Sequence, residues 1–345
     1  MKMSEKKDCL EKIGENVDRL ITINLGMRRG IEQYYSAARE RQGGRPLALM
    51  TAEKLREAIK PGDTVVIATG MIGSYMKRYP RIGETDGPVG AAALARALQL
   101  GLGAKPILVT DEALLDMVSA TCRGAEFNIV PKELLKELPI GLSVTGFPID
   151  GEKAQKEAGD LISRFEPKAI IAIERRGPNV KGVYHGWEGD NMNRYEAKVG
   201  HIFTEARRRG ILTIGIGDAC GTEIGMSKIS EAVKKINPYG ANCGCPCGAG
   251  IADATEVNIF VEAAVSNWGA HGIAACLSAL LGKPEVFHNG EIEEVILREC
   301  ASAGGVDGTT AIPRTTVDGV PGKLCYALVD MLSQLVKEGL KKQSD

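Results

Sequence analysis

A three-layer α/β fold, with a largely parallel sheet and helices on both of its faces, is what this sequence predicts, and two observations carry the prediction. Short apolar, β-branched runs at 65–68, 107–110, 169–173 and 211–216 alternate with longer amphipathic segments, the pattern of strands buried on both faces and joined by helices. Each run also ends in a glycine or an acid: Thr69-Gly70, Asp111, Glu174 and Gly217-Asp218.

Helices come first along the chain. Leu10, Ile13, Val17 and Leu20 recur at helical spacing, and residues 51–60 are rich in helix formers and stop at Pro61-Gly62, so residues 1–60 read as an all-helical N-terminal arm. Residues 61–345 read as the α/β catalytic domain, divisible into lobes over 61–165 and 166–345. Within it the spacing predicts helices at 88–102, 112–120, 152–164, 193–209, 227–236, 269–282, 291–303 and 322–341. A further strand-like run spans 258–265 and precedes Ser266-Asn267-Trp268-Gly269.

Composition narrows the function. With 345 residues, 44% of them hydrophobic, the chain can bury a sizeable core. Lys and Arg total 43 against 44 for Asp and Glu. Without a basic excess, nucleic acid and anionic membranes drop out as partners. Residues 90–104 are too short, and broken by Arg96, to cross a bilayer. The charged start has no apolar stretch of a secretory signal, and nine cysteines form an odd set in a long chain. A reduced, cytoplasmic protein is expected. Assembly into a homo-oligomer stays open.

In an open parallel sheet the carboxyl ends of the strands share one edge, where ligands bind. Glu84 and Asp86 come after the first run, Asp111 ends the second, Glu174 the third, and Asp218 with Glu223 the fourth. Any one of them is explained equally well as a helix cap. Their recurrence argues for convergence. Gathered carboxylates repel unless protonated, hydrogen-bonded or bridged by a cation. Oxygen donors favour Mg²⁺, Mn²⁺ or Ca²⁺ over zinc. Asp218, Glu223 and Glu174 are the expected ligands, with Asp86 and Asp190 as metal or substrate contacts.

Arg175 and Arg176 beside Glu174 suit a carboxylate substrate, Tyr184 and His185 come next in a glycine-containing loop, and Asn267 is placed to orient a ligand. His185 is a candidate proton carrier. Gly215 to Gly225 surrounds two acids and Cys220 with glycines, but lacks the spacing of a dinucleotide fingerprint. Cys220 is the thiol best placed for chemistry. In Cys243-Gly-Cys-Pro-Cys247, alternate residues of an extended segment would face one way. A soft metal held there needs further ligands, for which Cys220 and Cys276 are candidates; reduced, partly buried thiols are the plainer reading.

Several of these strings together resemble the D-glutamate cyclase family, the catalytic C-terminal domain of the mitochondrial enzyme and its stand-alone prokaryotic relatives. They are Glu84-Thr-Asp-Gly-Pro88 and the Gly-Ala-Ala helix after it, Ile173-Glu-Arg175 with Gly182-Val-Tyr184 and Gly189-Asp190, Gly217-Asp218 with Glu223-Ile-Gly-Met226, and Val265-Ser-Asn-Trp-Gly269. The resemblance implies a metal-assisted dehydration in which the amine of D-glutamate attacks its own side-chain carboxyl to give 5-oxo-D-proline. Its partner would be a small acidic metabolite. On that reading Asp218, Glu223 and Glu174 bind the cation, Asp190, Glu84 or His185 move protons, and Arg175 or Arg176 holds the α-carboxylate. The chain departs from the family pattern at Ala219-Cys-Gly-Thr222, one residue longer than usual, and at the cysteine string. A related lyase or isomerase stays open. So do a divalent-metal phosphohydrolase and a non-enzymatic metabolite or metal sensor.

Overall fold

The computed structural model describes residues 3–73, 82–138 and 141–344 of the chain. Helices α1 (Met3–Ile21), α2 (Ile31–Arg41) and α3 (Leu47–Ala58) come first. The sheet then grows through β1 (Thr64–Thr69), α4 (Pro88–Leu102), β2 (Lys105–Asp111), α5 (Leu115–Gly124), β3 (Ser143–Phe147), α6 (Gly151–Phe165) and β4 (Ala169–Ile173). It continues through α7 (Gly200–Arg208), β5 (Leu212–Gly217), α8 (Ser230–Ile236) and β6 (Ile259–Glu262). Next come α9 (Ser266–Leu281), α10 (Gly290–Ser302), a hairpin of β7 (Thr316–Val317) and β8 (Val320–Pro321), and α11 (Gly322–Ser344).

The six-stranded sheet has the order β3-β2-β1-β4-β5-β6 and is parallel throughout. Its central strands TVVIAT and AIIAI are buried along their whole length, as strands covered on both faces must be. Helices α4, α5 and α9 lie over one face and α6 with α7 over the other, giving the expected three layers. The strand order reverses between β1 and β4, so the chain diverges there and leaves a crevice beyond their carboxyl ends.

Strand β3 escapes the sequence pattern. It pairs only with β2, is half-buried through Val144, Thr145 and Gly146, and so lacks the apolar run of a covered strand. The segment predicted as a helix at 193–209 is helical only from Gly200. Before it, Glu196 makes a buried ion pair with Arg176. Helices α1 and α3 pack against α9, and α1 also packs against α11. Gly272 on α9 admits α1 closely: a methyl there would sit 3.0 Å from Ile21 and 3.1 Å from Val17. No helix among the described residues is long and apolar enough to cross a membrane.

Candidate active site

The loops that leave β1, β4, β5 and β6 build the crevice. After β1 the chain returns at Glu84-Thr85-Asp86 and enters α4 through Gly87 and Pro88. Asp86 accepts from the backbone N–H groups of Ser266 (2.9 Å) and Asn267 (2.8 Å), the first residues of α9. In return Asn267 Oδ1 accepts from the N–H groups of Gly87 (2.9 Å) and Gly90 (2.7 Å) at the start of α4, while its Nδ2 donates to Thr85 O. Each helix start thus caps the other, satisfying N–H groups that have no partner within their own helix.

Glu174 comes directly after β4 with φ 45°, a left-handed conformation that a side-chain-bearing residue adopts at a cost of about 1 kcal/mol or more. Its Oε2 accepts from Ser266 Oγ at 2.6 Å. After β5, Glu223 folds back so that Oε1 accepts from the N–H groups of Asp218 (3.3 Å) and Cys220 (3.2 Å), and Oε2 from that of Thr222 (2.8 Å). The carboxylates of Glu174, Asp218 and Glu223 and the sulfur of Cys220 bring ligand atoms within 4.8 Å of one another; Asp86, Asp218 and Asp318 do the same. Strand ends far apart in the sequence therefore place their acids around one point.

Burial favours the protonated forms of Glu174, Asp86, Asp218 and Asp318. It raises Glu174 well above the usual carboxylate range, with Asp218 and Glu223 adding repulsion, and raises Asp86 likewise, with Asp318 adding to it. Asp218 is pushed up to about 7 by burial, against the pull of Arg28. Asp318 is pushed up to about 8 by burial and the neighbouring Asp218. Burial and the same acids hold the Cys220 thiol well above its ordinary value, so it is a neutral neighbour of the acids near neutral pH. At the end of β6, Glu262 is buried and its oxygens make no hydrogen bond among the described residues.

Hard oxygen donors crowded together in a buried crevice are the environment a divalent cation relieves. These groups can hold a metal ion. The one guanidinium in direct contact with them among the described residues belongs to Arg28, which donates to Asp218 Oδ2 (2.6 Å), Asp318 Oδ2 (2.9 Å) and Asp218 O (2.8 Å) and remains 27% exposed. Neither Arg28 nor Asp318 lies at the end of a strand of the parallel sheet, so the sequence expectations include neither. The Asp318-Gly319 pair, a turn signal between two short strands, was the available clue to the second.

The other expected site residues separate into two groups. Arg175 is buried against Asp111 and donates to Gly70 O, and Arg176 is buried against Glu196 and donates to Ile72 O at 2.7 Å. Both guanidiniums tie loops together through the chain's own carboxylates and carbonyls. Glu84 is different. It is pushed up to about 7 by burial, against the pull of Arg176, and a methyl added at Gly308 would lie 2.9 Å from its Oε2 and 2.5 Å from Asp318 Oδ1. A glycine at 308 lets these two acids face each other.

Tyr184 and His185 stand in the loop between β4 and α7. The buried Tyr184 hydroxyl accepts from Gly200 N–H at 3.2 Å, closing the loop on α7. His185 Nδ1 lies 3.0 Å from Val183 O and Nε2 3.3 Å from Cys245 Sγ, so both nitrogens are engaged away from the carboxylates. Asp190 sits in the same hairpin turn, its backbone oxygen accepting from Gly186 N–H. The cysteine string is a series of turns rather than an extended segment, and Cys220 and Cys276 do not complete it; His185 does.

The family described as D-glutamate cyclase-like, C-terminal, matches residues 17–336. The chain belongs to that family. The D-glutamate cyclase-like match takes in every part of the crevice, from Arg28 to Asp318. Human mitochondrial D-glutamate cyclase is 30% identical over 221 residues, 63% of this chain and 33% of that protein. The aligned part thus spans about a third of the relative's length.

Proposed function

We propose that this protein is a carbon–oxygen lyase that cyclises D-glutamate, or a closely related small acidic amino acid, to 5-oxo-D-proline with the help of Mg²⁺ or Mn²⁺. The observation that carries the reading is the meeting of Glu174, Asp218 and Glu223 at the sheet's carboxyl edge, in a chain of the D-glutamate cyclase-like family.

The reaction forms a bond between the amino nitrogen and the side-chain carboxyl carbon, breaks one carbon–oxygen bond there and releases water. A carboxylate is a poor electrophile, and a divalent ion held by Glu174, Asp218 and Glu223 would supply the missing Lewis acidity. The chain's own groups do the rest. Arg28, partly exposed at the mouth, is placed to take the α-carboxylate by exchanging an aspartate for it. Glu84, titrating near 7, is suited to carry the two protons that the ammonium loses, one at a time through a carboxylate oxygen, to the departing oxygen, which leaves as water. Asp318 faces Glu84 across Gly308 and can share in that transfer. Holding both ends of a five-carbon substrate bends it toward the near-attack shape, and ring closure depends on orientation more than on nucleophile strength.

The test is mass spectrometry of the full chain incubated with D-glutamate, and separately L-glutamate, with Mg²⁺, with Mn²⁺ and without either. Formation of 5-oxoproline that needs the metal and is lost in Asp218→Asn is the expected result. No 5-oxoproline under any of these conditions would sink the proposal.

A further inference from the structure

Four side chains outside the acidic crevice meet in a way that the cyclisation does not use. Cys243, Cys245, Cys247 and His185 each offer a ligand atom within 4.8 Å of the others. Cys243 Sγ lies 3.6 Å from Cys245 Sγ and 3.3 Å from Cys247 Sγ. His185 Nε2 lies 3.3 Å from Cys245 Sγ and 3.6 Å from Cys247 Sγ. A tetrahedral zinc ion, with bonds of about 2.3 Å to sulfur and about 2.0 Å to nitrogen, would set its sulfurs about 3.8 Å apart and sulfur and nitrogen about 3.5 Å apart. These four distances lie within about half an ångström of those values.

We propose that Cys243, Cys245, Cys247 and His185 form a closed, four-coordinate zinc site of structural type. The surroundings are those of a ligating set. His185 Nδ1 donates to Val183 O, which fixes the tautomer and turns the Nε2 lone pair toward the sulfurs, the usual outer partner of a metal-bound imidazole. Two N–H groups point at sulfur: Cys247 N at 3.4 Å from Cys245 Sγ, and Asn179 Nδ2 at 3.4 Å from Cys247 Sγ. Such donors stabilise thiolates. An iron–sulfur cluster fits less well, since its ligands are divided among two or more irons and those on different irons stand further apart than these four do.

Three thiolates and one neutral imidazole fill a tetrahedral ion and leave no open position, which is why the role is structural. The ion would tie the hairpin turn at His185 to the loop between α8 and β6. That loop borders the crevice: Asn237 Nδ2 donates to Cys220 O at 3.1 Å, and Asp253 N–H to Gly221 O at 3.2 Å. Binding releases the protons of the thiols that are not already ionised, and no electron is transferred.

The test uses the full chain, reduced and freed of metal, titrated with Co²⁺ and then Zn²⁺. One equivalent of Co²⁺ is expected to give thiolate-to-cobalt charge transfer and the visible bands of a tetrahedral ion, both erased by Zn²⁺. Cys245→Ser and Cys247→Ser should lower the charge-transfer intensity and weaken zinc by more than the roughly 10- to 100-fold that loss of an outer partner causes. Cys220→Ser and Asp218→Asn should keep the full band, which separates this ion from one in the acidic crevice. Should the cysteine variants misfold, the wild-type titration decides alone. Absence of the sulfur band, its loss in Cys220→Ser, or a Cys243–Cys247 disulfide that resists the reductant would overturn the assignment.

Discussion

Arg28 holds the acids together by standing where they would otherwise repel. Replacing it by alanine leaves Asp218 and Asp318 without their shared partner. Breaking a buried pair costs about 3–5 kcal/mol, an upper figure here because both acids can take up protons. For Arg28→Ala we expect a lower melting temperature in buffer without divalent ions, recovered largely by Mn²⁺, and a raised KM for D-glutamate; thermal melts and initial rates check both. Ser266 orients Glu174 through a single short hydrogen bond. Ser266→Ala should weaken Mn²⁺ binding about 10- to 100-fold with little change in fold, read by calorimetric titration. At this scale the sequence showed the strand-end acids Glu174, Asp218 and Glu223, because strand ends in a parallel sheet share an edge. It did not show Arg28 or Asp318, which lie outside the strand–helix units and reach the crevice only through tertiary packing. Nor could it separate Arg28 from Arg175 and Arg176, since pairing with Asp111 and Glu196 depends on contacts 64 and 20 residues apart.

The decisive pair of elements is α4 and α9, whose starts cap each other through Asp86 and Asn267 and whose small residues let the backbones touch. A methyl at Gly90 would meet Asn267 Cα at 2.7 Å, and backbone cannot yield as a flexible side chain can. Gly90→Ala is therefore expected to destabilise by about 1–3 kcal/mol in urea unfolding, and to lower activity by moving Asp86. An unchanged denaturation midpoint would count against the capped contact. The apolar runs mark β1, β2, β4 and β5 within one or two residues, as buried strands do. Edge strand β3 leaves no such mark, and the spacing overextends α7, whose preceding residues hold Glu196 in a buried ion pair with Arg176 that no local pattern announces.

Across the whole molecule, several buried acids hold protons that an unfolded chain would release. Asp218 and Glu84 titrate near 7 and Asp318 near 8, all above their unfolded values. Groups raised in this way contribute stability that is fully present below about pH 4 and is lost as pH rises through about 7 to 8. The melting temperature in buffer without divalent ions should therefore fall from about pH 5 to about pH 8, and Mn²⁺ should flatten that fall by favouring the ionised carboxylates. A melting temperature independent of pH in the absence of divalent ions would show that these acids are not linked to folding. The alternation of strands and helices made the layered architecture legible; the reversal of strand order beside β1 was not, because no local pattern specifies which strand lies next to which. Arg28 and Asp318 meet across 290 positions of the chain. A polypeptide growing on the ribosome therefore carries an unfinished crevice until the β7–β8 hairpin has emerged, and a chain cut short before that hairpin would leave the door to its chemistry without a latch.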